Sequence, residues 1–287
     1  MQTREEILAR IAKLESELKS VQVVDSSGKI QVNGSFGKFG SKWSTLYSPD
    51  LLLQTTITGQ LCLLMLIERI EAIGISVISA NTDGIVIKCP RKREGELAEV
   101  FAEWEDDTGF ETEETRYASL HSRDVNSYCA IKEGGGAKTK GAFAIEGFQK
   151  NPTNIICVEA LIAFLEKGTP ISQTVHGCRD ITKFVTVRTV TGGAVKDGRY
   201  LGKAIRWYYS TEVDGEILYK KTGNKVPRSE GAAPCMTLPD EFPDDIDYDW
   251  YLRECEEMLM DIGYTYRPRT FRKRIKAGRL EYAFFDV

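Results

Sequence analysis

Asp83 is the only charged residue at the tip of ISVISANTDGIVIK (residues 75–88), where two runs rich in Ile and Val flank Asn-Thr-Asp-Gly. A carboxylate raised on such a tip suits a hard divalent cation, which takes oxygen ligands, and the tip presents it without burying an unpaired charge. The same residues also have a plain structural reading. Asp-Gly between alternating β-formers is a strong hairpin signal, because both residues tolerate positive φ. Upstream, KIQVNGSFG spans residues 29–37. On a helix, Lys29, Asn33 and Phe36-Gly37 fall along one face at i, i+4 and i+7. That face offers a compact point charge for a phosphate, an amide to support it, and a planar ring beside a glycine that lets a flat group such as a base pair approach. A surface lysine, a capping asparagine and a core phenylalanine account for the same residues structurally.

Several elements must position these groups. TREEILARIAKLESELK (Thr3–Lys19) spaces Ile7, Ile11, Leu14 and Leu18 for an amphipathic helix, opened by a capping box of Thr3 and Glu6. Asp25–Gly28 reads as a turn, and a helical segment starts near Lys29 and runs into NGSFGKFGSKW. A long helix is expected from about Ser48 to Glu71, entered through Ser48-Pro49-Asp50. After the hairpin come a helix from about Glu94 to Trp104 and short strands at Arg116–Ser119, Ser127–Lys132 and Lys138–Phe143. Beyond about residue 147 the texture changes. Helices are expected at Asn154–Lys167, Arg199–Trp207 and Asp249–Met260, with a Gly-rich loop at Thr191-Gly192-Gly193 and strand-like pieces in WYYST and ILYKK. The fold class this predicts is α+β, with a second, mostly helical region after residue 147.

Composition narrows the chemistry. The chain has 287 residues, enough for one large domain or two or three smaller ones. Its hydrophobic share of 42% and charged share of 28% are those of an ordinary soluble protein. No signal peptide is visible at Met1–Glu6, and the apolar stretch Leu51–Ile70 contains Gln54, Thr55, Thr56, Thr58 and Gln60, which reads as a buried core helix rather than a membrane span. The seven cysteines form no C-x-x-C pair, so free thiols in a reducing, cytoplasmic compartment are expected. With only His121 and His176, a His-based metal site or a Ser-His triad has little to build on. Charge is unevenly placed: Glu94–Glu114 holds ten acidic residues and no Lys or Arg, whereas Tyr266–Arg279 holds seven basic residues and no acidic one. Such a basic block is either a solvated tail or a phosphate contact.

Taken together, K-x-x-x-N-G-S-F-G at 29–37, Y-S-P-D-L at 47–51, I-T-G-Q at 57–60 and N-T-D-G at 81–84 resemble family B DNA polymerases. Their fingers carry K-x-x-x-N-S-x-Y-G and their palm carries D-T-D-S on a hairpin, separated by a helix of this length. The likeness continues through Asn126-Ser127-Tyr128, similar to the family's K-x-Y motif, and Lys138-Thr139-Lys140-Gly141, similar to the strand after it. It runs from about Lys29 to Gly147, and the later region looks like the thumb of phage-type members on a weaker basis.

The resemblance implies a division into fingers (residues 1–44), palm (45–147) and thumb (148–287). It implies that Asp83 is the catalytic, metal-binding carboxylate, acting on two Mg²⁺ ions. Lys29 matches the lysine on the incoming triphosphate. Asn33, Phe36 and Gly37 match residues lining the nascent base pair, and Tyr128 matches the tyrosine holding the primer. Lys138 and Lys140 are expected on the DNA, and in the thumb Lys196, Arg199, Lys203 and Arg206, with Lys225 and Arg228 nearby, could follow a duplex backbone.

The departures from the pattern matter as much. Asn81 stands where the family has its first Asp, Phe36 lacks the usual Tyr hydroxyl, and Asn126 replaces a Lys. The family's other palm Asp, within D-x-x-S-L-Y-P on an upstream strand, is missing. Ser44–Asp50 imitates that pattern but lies after the fingers motif and lacks the leading Asp. The expectation is therefore the C-terminal subunit of a split polymerase, acting on primer-template DNA and dNTP. An N-terminal polymerase/exonuclease partner would supply the missing carboxylate, and the Ile/Leu stripe of Thr3–Lys19 would face it. A non-catalytic DNA-binding accessory protein derived from a polymerase is the alternative. The tail Leu280–Val287 resembles sliding-clamp-binding tails of some replicative polymerases, with docking on its own body as the other reading. No membrane association is expected.

Overall fold

A computed structural model describes residues 36–264 and two further strands, residues 272–276 and 279–283. The helix expected at Thr3–Lys19, together with Lys29 and Asn33, lies outside the described residues. The chain divides into two compact units after Glu114.

The first unit is organised on one long helix, α1 (Pro49–Ala72). Proline enters at the start of the helix, and Asp50 sits in the first turn, where the helix dipole favours an acid. Asp50 is thus a helix-start residue. The helix stops at Gly74, which takes φ 73° while the Gly74 and Ile75 N–H groups bond back to the Glu71 and Ile70 carbonyls. Cys62, Leu66 and Ile70 recur every four residues and are buried against Ile75, Val100 and Trp104. The last two come from α2 (Glu94–Thr108), whose Trp104 indole N–H donates to the Cys62 carbonyl at 2.9 Å. β1 (Ser76–Asn81) and β2 (Gly84–Lys88) form a two-stranded antiparallel sheet, with Val77, Ile85 and Ile87 packed on this core.

That core is small, and it leaves much of α1 uncovered. Leu53, Ile57, Leu61 and Leu64 line another face of the helix and are 57%, 50%, 40% and 47% exposed. The expectation of a buried core helix is corrected here: one face is buried and another is open. By length and composition α1 could also cross a membrane.

In the second unit, β3 (Tyr117–Asp124), β4 (Ser127–Lys132) and β5 (Ala137–Lys140) make an antiparallel sheet in that order. The rest is built on a four-stranded antiparallel sheet of order β8-β6-β7-β9, comprising β6 (Thr186–Lys196), β7 (Arg199–Tyr209), β8 (Leu218–Tyr219) and β9 (Ala232–Pro234). Helices α3 (Ile155–Lys167), α4 (Ile171–Gly177) and α5 (Tyr248–Asp261) pack together, and one core joins Ile156, Leu161, Phe184, Ile205, Trp207 and Tyr251. Tyr251 satisfies its buried hydroxyl twice, donating to the Phe184 carbonyl at 2.7 Å and accepting from the Tyr209 N–H at 3.0 Å. A last antiparallel pair, β10 (Arg272–Lys276) and β11 (Arg279–Ala283), spans most of the basic block.

The α+β class holds, but the later region is mixed rather than mostly helical. Arg199–Trp207, expected as a helix, is strand β7. Leu201 and Ile205 carry the four-residue spacing of a helix, yet Ile205, Trp207 and Tyr209 alternate inward. Asp197 (φ 49°) and Gly198 (φ 78°) close a two-residue turn that pairs Lys196 with Arg199, as a type I′ hairpin requires. Thr191-Gly192-Gly193 lies inside β6 and not in a loop.

Candidate catalytic hairpin and nucleic-acid-facing sheet

The β1–β2 ladder pairs Asn81 with Gly84, so the tip consists of Thr82 and Asp83. An Asp-Gly turn would centre one residue later. Instead Thr82 takes the positive φ, 57°, and the Asp83 N–H donates to the Asn81 carbonyl two residues back at 2.8 Å. A three-residue closure around a positive φ is the strained form of the γ-turn, and a β-branched residue there is an outlier. The Thr82 hydroxyl donates to the Asn81 side-chain oxygen at 3.0 Å, a local bond that offsets part of the strain. Asp83 is left exposed at the tip. Strained backbone persists where surroundings over-determine it, and it concentrates at functional sites.

A single carboxylate does not fix a magnesium ion, which demands octahedral oxygen coordination and is usually held by one or two carboxylates plus substrate phosphates. Among the described residues no group of three His, Cys, Asp or Glu side chains gathers to hold a metal. The described residues therefore do not by themselves make the two-ion site that the resemblance implies. Of the expected nucleotide-binding residues, Phe36 lies in helical backbone described over residues 36–39 and is exposed, its ring edge-on to Phe39 at 6.4 Å. Gly37 is exposed, and a side chain there would meet nothing within 4 Å.

In the second unit the strand register gathers residues that the sequence holds apart. Tyr128 lies opposite Lys140 and Ala130 opposite Lys138, so Tyr128, Lys138 and Lys140 share one face of β4–β5. Neither lysine has an ion-pair partner among the described residues. Gly141 locks the two segments together. It takes φ 63°, and a Cβ there would fall 2.2 Å from the Asn126 carbonyl oxygen and 2.5 Å from the Ser127 hydroxyl. Only glycine lets β5 end against the β3–β4 turn, which explains why Asn126-Ser127-Tyr128 and Lys138–Gly141 work as one piece. Asp124 holds that turn by accepting from the Asn126 N–H at 2.9 Å, the bond that does most to hold its pKa below the ordinary carboxylate value.

The cations expected along the thumb divide into engaged and open. Lys196 is buried and donates to the Asp214 and Gly215 carbonyls at 2.9 and 3.1 Å. Lys225 pairs with Glu216, and Arg228 pairs with Glu254. Arg206 lies over the Phe148 ring at 5.1 Å. Lys203 and Arg199 are exposed on β7. Thr82 carries no signal of its strain in the sequence, whereas the Asp197-Gly198 turn signals that the start of β7, with Tyr200, is exposed.

No protein-family model matches the chain, and no curated protein matches it. Among solved structures it is similar to the family B DNA polymerase of the hyperthermophilic archaeon Pyrobaculum calidifontis, with a TM-score of 0.50 and 14% identity. The match covers 91% of this chain and 37% of the archaeal one, so the chain spans little more than a third of that polymerase. The fold is polymerase-like.

Proposed function

We propose that this chain is the C-terminal part of a template-directed DNA polymerase of the family B type, and that a separate polypeptide completes its active site. The observation that carries the reading is Asp83, lifted on a strained turn inside the motif order K-x-x-x-N, Asn-Thr-Asp-Gly and Asn-Ser-Tyr. On this reading Asp83 holds Mg²⁺ together with a carboxylate from the other polypeptide. Bound ions supply charge neutralisation at the transferring phosphoryl group. Lys29 meets the incoming triphosphate, while Asn33, Phe36 and Gly37 border the nascent base pair. Tyr128, Lys138 and Lys140 hold the primer, and Lys203 and Arg206 follow the duplex.

The need for a second polypeptide draws support from the first unit. Its sheet has only two strands, with both edges unpaired among the described residues, and two strands are marginal alone. Leu53, Ile57, Leu61 and Leu64 add an exposed apolar face of the kind that is covered in an assembly. The same reading gives the partner the exonuclease, makes a sliding clamp a candidate ligand of the C-terminal tail, and puts the protein in the cytoplasm, a host's if the chain is viral.

Primer extension tests it. The purified chain with primer-template, dNTPs and Mg²⁺ is expected to extend nothing, and a co-encoded polypeptide carrying D-x-x-S-L-Y-P is expected to restore synthesis. Extension by the chain alone overturns the incomplete site; no extension by the pair overturns the polymerase reading.

A further inference from the structure

The second unit sets Lys220 over one exposed ring, with further cations close to it along the paired strands and in sequence. Gly192 and Gly193 both take φ 84° within β6, and β7 runs beside them with Gly202 opposite Ala194. Tyr200 rests against Gly193, where a Cβ would lie 2.5 Å from the ring and hydroxyl, so a side chain there would displace the ring. The glycine thereby seats Tyr200, which stays 50% exposed. Lys220 lies over the same ring with Nζ 4.5 Å from its centroid, and its backbone N–H is anchored on the Gly193 carbonyl at 2.9 Å. Lys221 follows it, its Cβ 3.8 Å from where a Gly192 side chain would begin. Lys203 comes next to Gly202, and Arg199 precedes Tyr200; both are exposed. Among the described residues none of these four cations has an ion-pair partner. Asp197, on the β6–β7 turn, is the acid nearest along the chain.

An exposed aromatic ring among unpaired cations is complementary to an unpaired nucleic-acid strand. Cations follow the phosphates, and a base stacks on the ring whatever its identity. A duplex offers the same phosphates but keeps its base faces stacked. We propose that Tyr200, with Lys220, Lys221 and Lys203, forms a binding site for single-stranded nucleic acid. Of these residues only Lys203 belongs to the polymerase reading, and the proposal does not depend on that reading.

Fluorescence anisotropy of the full chain tests it, using labelled oligothymidylate and a labelled blunt hairpin duplex across a salt series. Tyr200→Ala is expected to weaken oligothymidylate binding about tenfold, the size of losing one stacked base, and to leave duplex binding unchanged. Tyr200→Phe keeps the ring and is expected to retain the affinity. Replacing Lys220 and Lys221 together by Gln is expected to reduce the slope of log affinity against log salt by about 1.4, roughly 0.7 for each phosphate contact. Wild-type oligothymidylate binding by Tyr200→Ala overturns the proposal, as does an equal loss on both ligands or an unchanged salt slope in the lysine variant. No dNTP or second polypeptide enters the assay, so its failure leaves the polymerase reading standing.

Discussion

In the first unit Asp83-Gly84 straddles the end of a turn, with Gly84 already paired to Asn81 in the ladder. In the second, Asp197-Gly198 is the turn itself, between paired Lys196 and Arg199. The same dipeptide thus sits in two registers. At Asp197-Gly198 both positive φ values fall on residue types that tolerate them. At the Asp83 hairpin the positive φ falls on Thr82, although a glycine stands two residues away and is not used for it. A left-handed backbone disfavours a residue with a Cβ by about 1–2 kcal/mol. One hairpin is shaped for turning the chain; the other accepts strain, and its tip residue is the exposed carboxylate.

That contrast can be broken by substitution. The largest effect is expected at Gly198, where Val places a β-branched residue at φ 78° and lowers stability by about 2 kcal/mol in chemical denaturation. Gly84→Ala is the matching control. A Cβ there meets nothing within 4 Å and the φ is not left-handed, so a change within about 0.5 kcal/mol is expected. A smaller effect, of opposite sign, is expected from Thr82→Asn. Asparagine tolerates the left-handed region, so the hairpin should gain roughly 0.5 kcal/mol, read as a higher denaturation midpoint. A loss of that size would mean that Thr82 is not strained.

Much of this architecture could be read from the residues. Helix α1 announces itself through Ser48-Pro49-Asp50 and ends within a residue of expectation. Strand β4 spans the expected Ser127–Lys132, and α3 and α5 differ from expectation by a residue at one or both ends. The turn register of the Asp83 hairpin could not be read. β1 carries a bulge between Val77 and Ser79, which leaves Ile78 without a ladder partner and 55% exposed, and period-two alternation cannot count across it. β7 hides its strand pattern for a related reason. Gly202, at φ 92°, interrupts its alternation and leaves the four-residue interval between Leu201 and Ile205 as the visible signal. For the candidate site, Tyr128, Lys138 and Lys140 were each legible, but their meeting on one face needed the β4–β5 register and the close approach of Gly141 to Asn126. Lys196 looked like its neighbours in sequence and turned out to be buried on two carbonyls, because only tertiary packing separates an exposed lysine from a structural one.

On the proposed polymerase reading, the most direct test is primer extension by the chain together with its completing polypeptide, carrying either Asp83→Asn or Asp197→Asn. Both substitutions remove one exposed charge from a hairpin tip. Asp83→Asn is expected to lower the extension rate by about a thousandfold or more, the size of losing several kcal/mol of charge stabilisation at the proposed metal site, while Asp197→Asn is expected to extend like the unmodified protein. Extension at an unchanged rate by Asp83→Asn would contradict that reading.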